Sequence, residues 1–336
     1  MELNIIKDIF NYFIPDKDVQ SFNQNNNGLI NDTYLIQTAY KSYILQKLNT
    51  EIFSNYSRGL SNILLVKKWL LKNNFPYEFP KLVSENYHIR NKDIWRLYNY
   101  IDGSDVFNKV SNYEQVINAA KCLGKFYNCL NNEDVNNLFI TLPNFHSGRI
   151  ILKNLISANR AALFKRKKNA KRLFEEILNQ RKIIQKFDNL CQLLPTRVVH
   201  YDTKINNFLY KKNTSEVKAI IDFDTLMPGC VLSDIGDMIR TYSNSEGEES
   251  KKLENITADK KIIECIIDGF SSEATLNINE EENLFFGGIA ITLLQSIRFL
   301  TDFFSNDVYY KTSYEEHNLT RANNQFKLFL SLKDIN

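Results

Sequence analysis

The hydrophobic period of this chain changes once, near Asp102-Gly103, and the change divides it into two unlike parts. Before it, Gly28 to Asn49 reads GLINDTYLIQTAYKSYILQKLN, where β-branched and aromatic runs at Thr33 to Thr38 and Ser42 to Leu48 flank a short polar turn, the pattern of a β-hairpin. Leu60, Ile63, Leu64, Val66, Leu70 and Leu71 then recur at helical spacing up to Asn73, and two strand-like runs follow, Lys81 to Ser84 and Ile94 to Ile101, separated by the polar Glu85 to Asp93. Beyond Gly103 helical spacing dominates: Tyr113 to Leu130, His146 to Phe187 with breaks, Ser233 to Tyr242, Lys260 to Phe270, Glu281 to Phe304 and Asn318 to Leu332. Two short strands, Phe208 to Lys211 and Val217 to Phe223, interrupt the helices. The order predicts an α+β chain of two lobes, a small β-rich one over 1–101 and a larger, mostly helical one over 102–336, with a ligand cleft between them.

Composition narrows the class. With 336 residues, 43% hydrophobic and 24% charged, the chain can bury a full core, which excludes disordered and fibrous classes. A net charge of +3, from 42 Lys and Arg against 39 Asp and Glu, is too balanced to point to nucleic acid or an anionic membrane. Five cysteines without a C-x-x-C pair argue against a disulfide framework and a zinc knuckle, and fit a reducing compartment. Glu2, Lys7 and Asp8 near the start, without a small-residue cleavage site, and an apolar stretch around Ile289 that reads as too short to span a bilayer lead us to expect a cytoplasmic chain with no obligate protein partner. Few glycines weaken any Gly-rich nucleotide loop. The basic run Phe164 to Arg172 reads as a solvated helix face, and Glu280 to Glu282 as a helix start.

The residues able to do chemistry concentrate between Arg197 and Arg240. RVVHYDTKINNFLY carries a β-branched run into His200-Tyr201-Asp202 and a polar loop with Lys204, Asn206 and Asn207; AIIDFDTLMPG then brings Asp222 and Asp224 to the end of an apolar strand. Phosphoryl transfer needs one carboxylate to receive the proton of the attacking hydroxyl, and an amide oxygen with a second carboxylate to hold magnesium against the nucleotide phosphates. Asp202, Asn207 and Asp222 match those roles in order and type. Their spacing is that of the H-R-D-x-x-x-x-N loop of protein kinases, and Asp222 follows a hairpin as the D of D-F-G does. A lone H-x-D more often marks a turn or a capped helix start, so the reading rests on four matches in one strand-loop-hairpin context. His200 is expected to orient the loop through a backbone hydrogen bond rather than to titrate in catalysis.

HYDTKINNFLY and IDFDTLMPG resemble the catalytic and metal-binding segments of the aminoglycoside phosphotransferase and choline kinase superfamily, usually written H-G-D-x-x-x-x-N and I-D-W/F. GLINDTYLI with YILQKLN, WRLYNYI, TLPNFHSGR, DTKINN, DTLMPG with DIGDMIR, and the C-terminal IRFLTDFF and HNLTRANNQFKL are similar to its N-acetylhexosamine 1-kinase branch over nearly the whole chain. The resemblance implies a protein-kinase-like fold and a kinase that uses ATP and Mg²⁺ to phosphorylate the anomeric hydroxyl of N-acetylglucosamine or N-acetylgalactosamine. It also implies that the Gly28 to Thr33 turn, with Asn31, Asp32 and Thr33, covers the triphosphate, that Tyr98, Tyr100 and Ile101 belong to the hinge facing adenine, and that Asp224 sits beside the metal or the sugar. Three positions depart from the pattern. The strand expected to carry the phosphate-binding lysine reads Ile44-Leu45-Gln46-Lys47, so Gln46 takes its place with Lys47 one residue out of phase; the following helix has no Glu to pair with it; and Leu29 stands where a His is expected.

Asn31-Asp32-Thr33 also fits an ordinary hairpin turn. Arg298 and Asp302, four apart on an apolar helix, have the spacing of an intrahelical ion pair, yet Arg298 and Tyr310 are also the candidates for touching a sugar. Three functions stay open: an N-acetylhexosamine kinase; a kinase for an aminoglycoside, choline or homoserine, with Glu246, Glu248, Glu249 and Glu280 to Glu282 available for a cationic acceptor; and a non-catalytic binding protein of the same fold.

Overall fold

The computed structural model describes residues 3–25 and 30–335, so Gly28 and Leu29 lie outside the described residues. The N-terminal part comprises α1 (Leu3–Phe13), β1 (Ser21–Asn25), β2 (Asp32–Gln37), β3 (Ser42–Lys47), α2 (Tyr56–Lys72), β4 (His88–Arg90) and β5 (Asp93–Asn99), with the buried side of α2 packed into the core of the helical part rather than that of the sheet. Its five strands pair antiparallel in the order β1-β2-β3-β5-β4. Strand alternation sorts the two faces of this sheet. Tyr34, Ile36, Tyr43, Leu45, Trp95 and Leu97 pack with Ile6, Ile9 and Phe10 of α1 into a separate core. Thr33, Gln46 and Arg96, in register across β2, β3 and β5, belong to the other face, which looks onto the second lobe. The expected strand at Lys81 to Ser84 is an extended segment bridged to β5 only at Leu82.

The second lobe continues with β6 (Ser104–Asp105), α3 (Tyr113–Leu130), α4 (Gly148–Ala161), α5 (Phe164–Leu178), α6 (Arg181–Leu193), β7 (Arg197–Val199), β8 (Phe208–Lys211), β9 (Val217–Ile220), β10 (Met227–Gly229), α7 (Val231–Tyr242), α8 (Lys260–Ser271), α9 (Ile278–Glu281), α10 (Leu284–Phe304) and α11 (His317–Asp334). Two short antiparallel pairings carry the segments that hold Asp202, Asn207 and Asp222: β7 with β10, and the β8–β9 hairpin joined by β6. Helix α10 is the axis of the lobe, packed against α4, α7 and α11. It is 21 residues long and apolar enough by length and composition to cross a membrane, more than the sequence reading allowed, but 72% of its most apolar stretch is buried inside the protein. Its approach to α7 is set by glycine: a Cβ on Gly236 would meet the Gly287 carbonyl oxygen at 2.5 Å. The acidic run does begin a helix, where Asn277 and Glu280 form a reciprocal capping box.

Candidate active site

Strand β7 ends at Val199, and the chain then turns sharply through Tyr201, whose φ of 66° is in the left-handed region. The turn is held from below by α7. Asp234 accepts the Tyr127 hydroxyl (2.9 Å), the His200 N–H (2.9 Å) and the Tyr201 N–H (2.6 Å), while Asp237 accepts the Thr203 N–H (3.0 Å). Burial pushes the Asp234 carboxyl up to about 6. Asp234→Ala should cost about 1–3 kcal/mol of stability, because three donors lose their acceptor at about 1–3 kcal/mol each while relief of the buried charge offsets part of that loss. Urea unfolding checks this, and a loss below about 1 kcal/mol would mean that water replaces the carboxylate. His200 makes the backbone hydrogen bond expected of it: Nε2 donates to the Ile221 carbonyl (2.9 Å) and Nδ1 accepts the Asp202 N–H (3.3 Å), joining this loop to the end of β9.

Asp202 is thereby presented to the cleft with Oδ2 accepting Lys204 Nζ (2.8 Å) and Asn207 Nδ2 (2.9 Å). Burial pushes its carboxyl upward, but the Lys204 charge and hydrogen bond, with His200 and Asn207, outweigh burial and hold it below the ordinary aspartate value. Asn207 also donates to the Asp202 carbonyl (2.8 Å), so its amide nitrogen is committed and its oxygen remains available as a ligand. Asp222 follows β9 with φ 66° and ψ 61°, and among the described residues its carboxylate accepts no hydrogen bond. Burial and the neighbouring Asp224 and Asp202 carboxylates push it up to about 7, against the pull of Lys204 and Arg96. A carboxylate crowded in this way is suited to receive a cation.

Asp202, Lys204 and Asp222 border a cavity of ≈ 180 Å³ between the lobes, while Asn207 is buried behind Asp202 and is not part of its lining. Of the residues singled out from sequence, Asn31, Thr33, Gln46, Asp202, Asp222, Asp224, Arg298 and Tyr310 line it. Others do not. Lys47, on the opposite face of β3 from Gln46, makes an ion pair with Asp93 (3.0 Å), and Asp32 faces Lys311 (3.3 Å). Tyr98 lies against the Arg96 guanidinium, 5.0 Å from its ring centre. The Tyr100 N–H donates to Ser42 (3.3 Å) and the Ile101 carbonyl accepts the Ser104 hydroxyl (2.7 Å), which places both at the junction of the lobes.

The spacing of Arg298 and Asp302 does not produce an ion pair. Asp302 instead accepts the N–H groups of Tyr309 (2.8 Å) and Tyr310 (2.9 Å) and the Asn318 amide (2.9 Å), fixing the segment after α10. Arg298 is left to stack on the rings of Phe145 (4.4 Å) and Tyr309 (6.0 Å) at the cleft. Sequence reasoning gave no role to Lys204, Asp234, Asp237 or Arg96. The signal for the two acids was present, since Asp234 and Asp237 lie three apart among the apolar residues of α7, a spacing that puts both on one face.

A small antiparallel sheet over a helical lobe, with Asp202, Asn207 and Asp222 gathered near the cleft between them, is the protein-kinase-like architecture, and residue types of this kind in this arrangement suit phosphoryl transfer. The model of the phosphotransferase enzyme family (APH) matches residues 21–253, and the chain belongs to that family. Solved structures share the fold along the whole length. A choline kinase from Cryptosporidium parvum Iowa II is 15% identical with a TM-score of 0.61, over 99% of this chain and 96% of that one. The enzyme APH(2")-IIia in complex with GDP and kanamycin is 15% identical with a TM-score of 0.64, over 100% of both chains. A microcompartment-associated aminopropanol kinase is 13% identical with a TM-score of 0.60, over 99% and 97%.

Proposed function

We propose that this phosphotransferase is a small-molecule kinase that transfers the γ-phosphoryl group of ATP to a neutral sugar, and specifically to the anomeric hydroxyl of an N-acetylhexosamine. The observation that supports a neutral acceptor is the charge at the acceptor end of the cleft. Arg298 makes no ion pair among the described residues and carries its charge against aromatic rings. Of the glutamates named for a cationic acceptor only Glu248 lines the cavity, and it is paired, like Asp237, with Arg240; Glu249 is paired with His317 and Arg321, and Glu280 with Arg197. A polycationic aminoglycoside or a quaternary amine would meet an uncompensated guanidinium. A pyranose, by contrast, offers hydroxyl and acetamido oxygens to Arg298 and an apolar face to Phe145, Tyr309 and Tyr310, all of which line the cavity. The choice of an N-acetylhexosamine within the sugars is supported by the sequence resemblance, in particular DTKINN and the C-terminal helix segment.

In this reading Asp202 orients the acceptor hydroxyl and receives its proton, and Lys204 keeps Asp202 ionised. Mg²⁺ fits the donor set. Among the described residues no three His, Cys, Asp or Glu side chains cluster as a metal site of their own, whereas Asp222 and Asn207 offer free oxygens. That suits a hard cation that takes one or two protein oxygens and shares the nucleotide phosphates. When bound it neutralises charge on the phosphate oxygens; Asp222 and Asn207 would hold it.

The test is ADP release with ATP-Mg and a panel of sugars, amino alcohols and aminoglycosides. N-acetylglucosamine or N-acetylgalactosamine should turn over, giving an acid-labile 1-phosphate whose phosphorus signal couples to the anomeric proton. The methyl glycoside lacks the nucleophile, so it should bind weakly and give no product. A 6-phosphate, or efficient turnover of the glycoside, would overturn the 1-kinase reading, and a preference for cationic acceptors would overturn the neutral-sugar reading.

A further inference from the structure

In a protein-kinase sheet one strand lysine pairs with a helix glutamate and holds the nucleotide phosphates. Here that strand position is Gln46, and the inner face of α2 carries Asn62, which binds the Leu226 and Phe139 carbonyls (2.8 Å each). The cation of this sheet is one strand over. Arg96 lies directly across from Gln46 in the β3–β5 register and is only 2% exposed. Its Nη1 and Nη2 reach the two oxygens of Asp224 at 2.5 and 2.6 Å, and its Nε and Nη2 reach Gln46 Oε1 at 3.0 and 2.8 Å. Asn31 adds a third donor to Asp224 at 2.8 Å. Four of the five N–H groups of the guanidinium are thus used within this cluster. Gln46, Asn31 and Asp224 line the active-site cavity while Arg96 stands behind them, so what Arg96 grips is the Asp224 carboxylate.

Asp224 is two residues beyond Asp222. Asp222 sits in a left-handed turn and, among the described residues, has no side-chain hydrogen bond to fix its direction. We infer that Arg96 is the positioning residue of this aspartate turn: its bidentate grip on Asp224 ties the turn to the nucleotide lobe and aims Asp222 at the cation that accompanies the nucleotide. Asp224 is then a lobe anchor rather than a ligand of metal or sugar. The Arg96–Asp224 pair replaces the strand-to-helix pair of protein kinases with a strand-to-turn pair that spans the two lobes. A fork on a carboxylate fixes orientation as well as distance, which a single ammonium cannot do. The inference rests on the phosphotransferase reading and its divalent cation, and is independent of the acceptor.

The experiment uses ADP as the probe, titrated by calorimetry with and without Mg²⁺ into the wild-type protein, Arg96→Lys and Asp224→Asn. Arg96→Lys should bind Mg-free ADP about as well as wild type but lose about 10–100-fold in affinity for Mg·ADP, the loss usual when a partner that orients a metal ligand is removed. Asp224→Asn should show the same selective loss, and the double variant should be no worse than either single, because both act through one contact. Amide hydrogen exchange of 221–226 in the ligand-free protein should speed up in each variant while the rest of the second lobe is unchanged. Should Arg96→Lys fail to fold, Asp224→Asn carries the same expectation. An equal loss with and without Mg²⁺ would make Arg96 a direct phosphate contact or a purely structural residue, and wild-type affinity for Mg·ADP in both variants would also overturn the assignment. A wild-type protein that gains nothing from Mg²⁺ overturns it differently, by removing the cation reading itself.

Discussion

Asp202→Asn is expected to lower kcat by about 10²–10⁴-fold, the usual contribution of a positioned general base, while ADP affinity stays close to wild type. The substitution keeps the size of the side chain and leaves a carbonyl oxygen that can still accept from Lys204 and Asn207, so the loop should hold its shape. What it removes is the proton acceptor and the negative charge that orients the attacking hydroxyl. Because Lys204, His200 and Asn207 hold Asp202 below the ordinary aspartate value, it is ionised throughout the neutral range, and its titration should not shape the pH profile near pH 7. Turnover is read as ADP release and binding by calorimetry. A variant keeping more than about a tenth of wild-type kcat would show that the base lies elsewhere.

The Asp202–Asn207 loop is legible in the sequence because its candidate groups are local. Asp202 and Asn207 lie five residues apart on one loop, and Asp222 follows one hairpin later, so their spacing records a neighbourhood that His200, Asp234 and Asp237 then fix. The long helices are legible for a similar reason: α3, α8 and α11 each bury one stripe, and the 3.6-residue period records it. Strands β1 and β4 leave no such record. SFNQN and HIR are polar segments at the two edges of the sheet, where main-chain pairing holds them and no alternation is required. Helix α1 shows the opposite limit, since its apolar stripe exists only to cover the sheet core.

The charged contacts between distant segments are the least legible. Arg96 meets Asp224 across 128 residues of chain, and no spacing rule could single out that arginine from the others. Arg298 and Asp302 make the same point in reverse, because their spacing suggests a local pair, yet the N–H groups of Tyr309 and Tyr310 claim the aspartate. A carboxylate goes to the donors that the fold leaves buried and unpaired, and these are known only once the fold is.

Asp222→Asn should abolish the Mg-dependent gain in nucleotide affinity and, at the same time, stabilise the ligand-free protein at alkaline pH. The first effect follows from removing the charge of the one carboxylate at the cleft that has no hydrogen-bond partner among the described residues. The second follows from the sign of its shift. Burial and the adjacent Asp224 and Asp202 carboxylates push Asp222 from the ordinary 3.8 up to about 7, so the folded protein binds this proton more tightly than the unfolded chain does. Between those two values folding takes up a proton, and stability falls as pH rises. Above about 7 the cost of the charged side chain is fully present, and below about 4 it is gone. Solvent in the cleft offsets part of it, so at pH 8 the neutral variant should be more stable than wild type by on the order of 1–3 kcal/mol, with the difference shrinking as the pH is lowered and vanishing near pH 4. In wild type the same proton competes with the cation, so affinity for Mg·ADP should weaken as pH falls through 7, while affinity for Mg-free ADP, which the Asp222 charge repels, should not. Urea unfolding at pH 5 and pH 8 reads the first trend and calorimetry over the same range reads the second. A variant less stable than wild type at pH 8 would mean that the Asp222 charge is compensated in the folded protein, and Mg·ADP affinity unchanged by the substitution would move the cation to other oxygens.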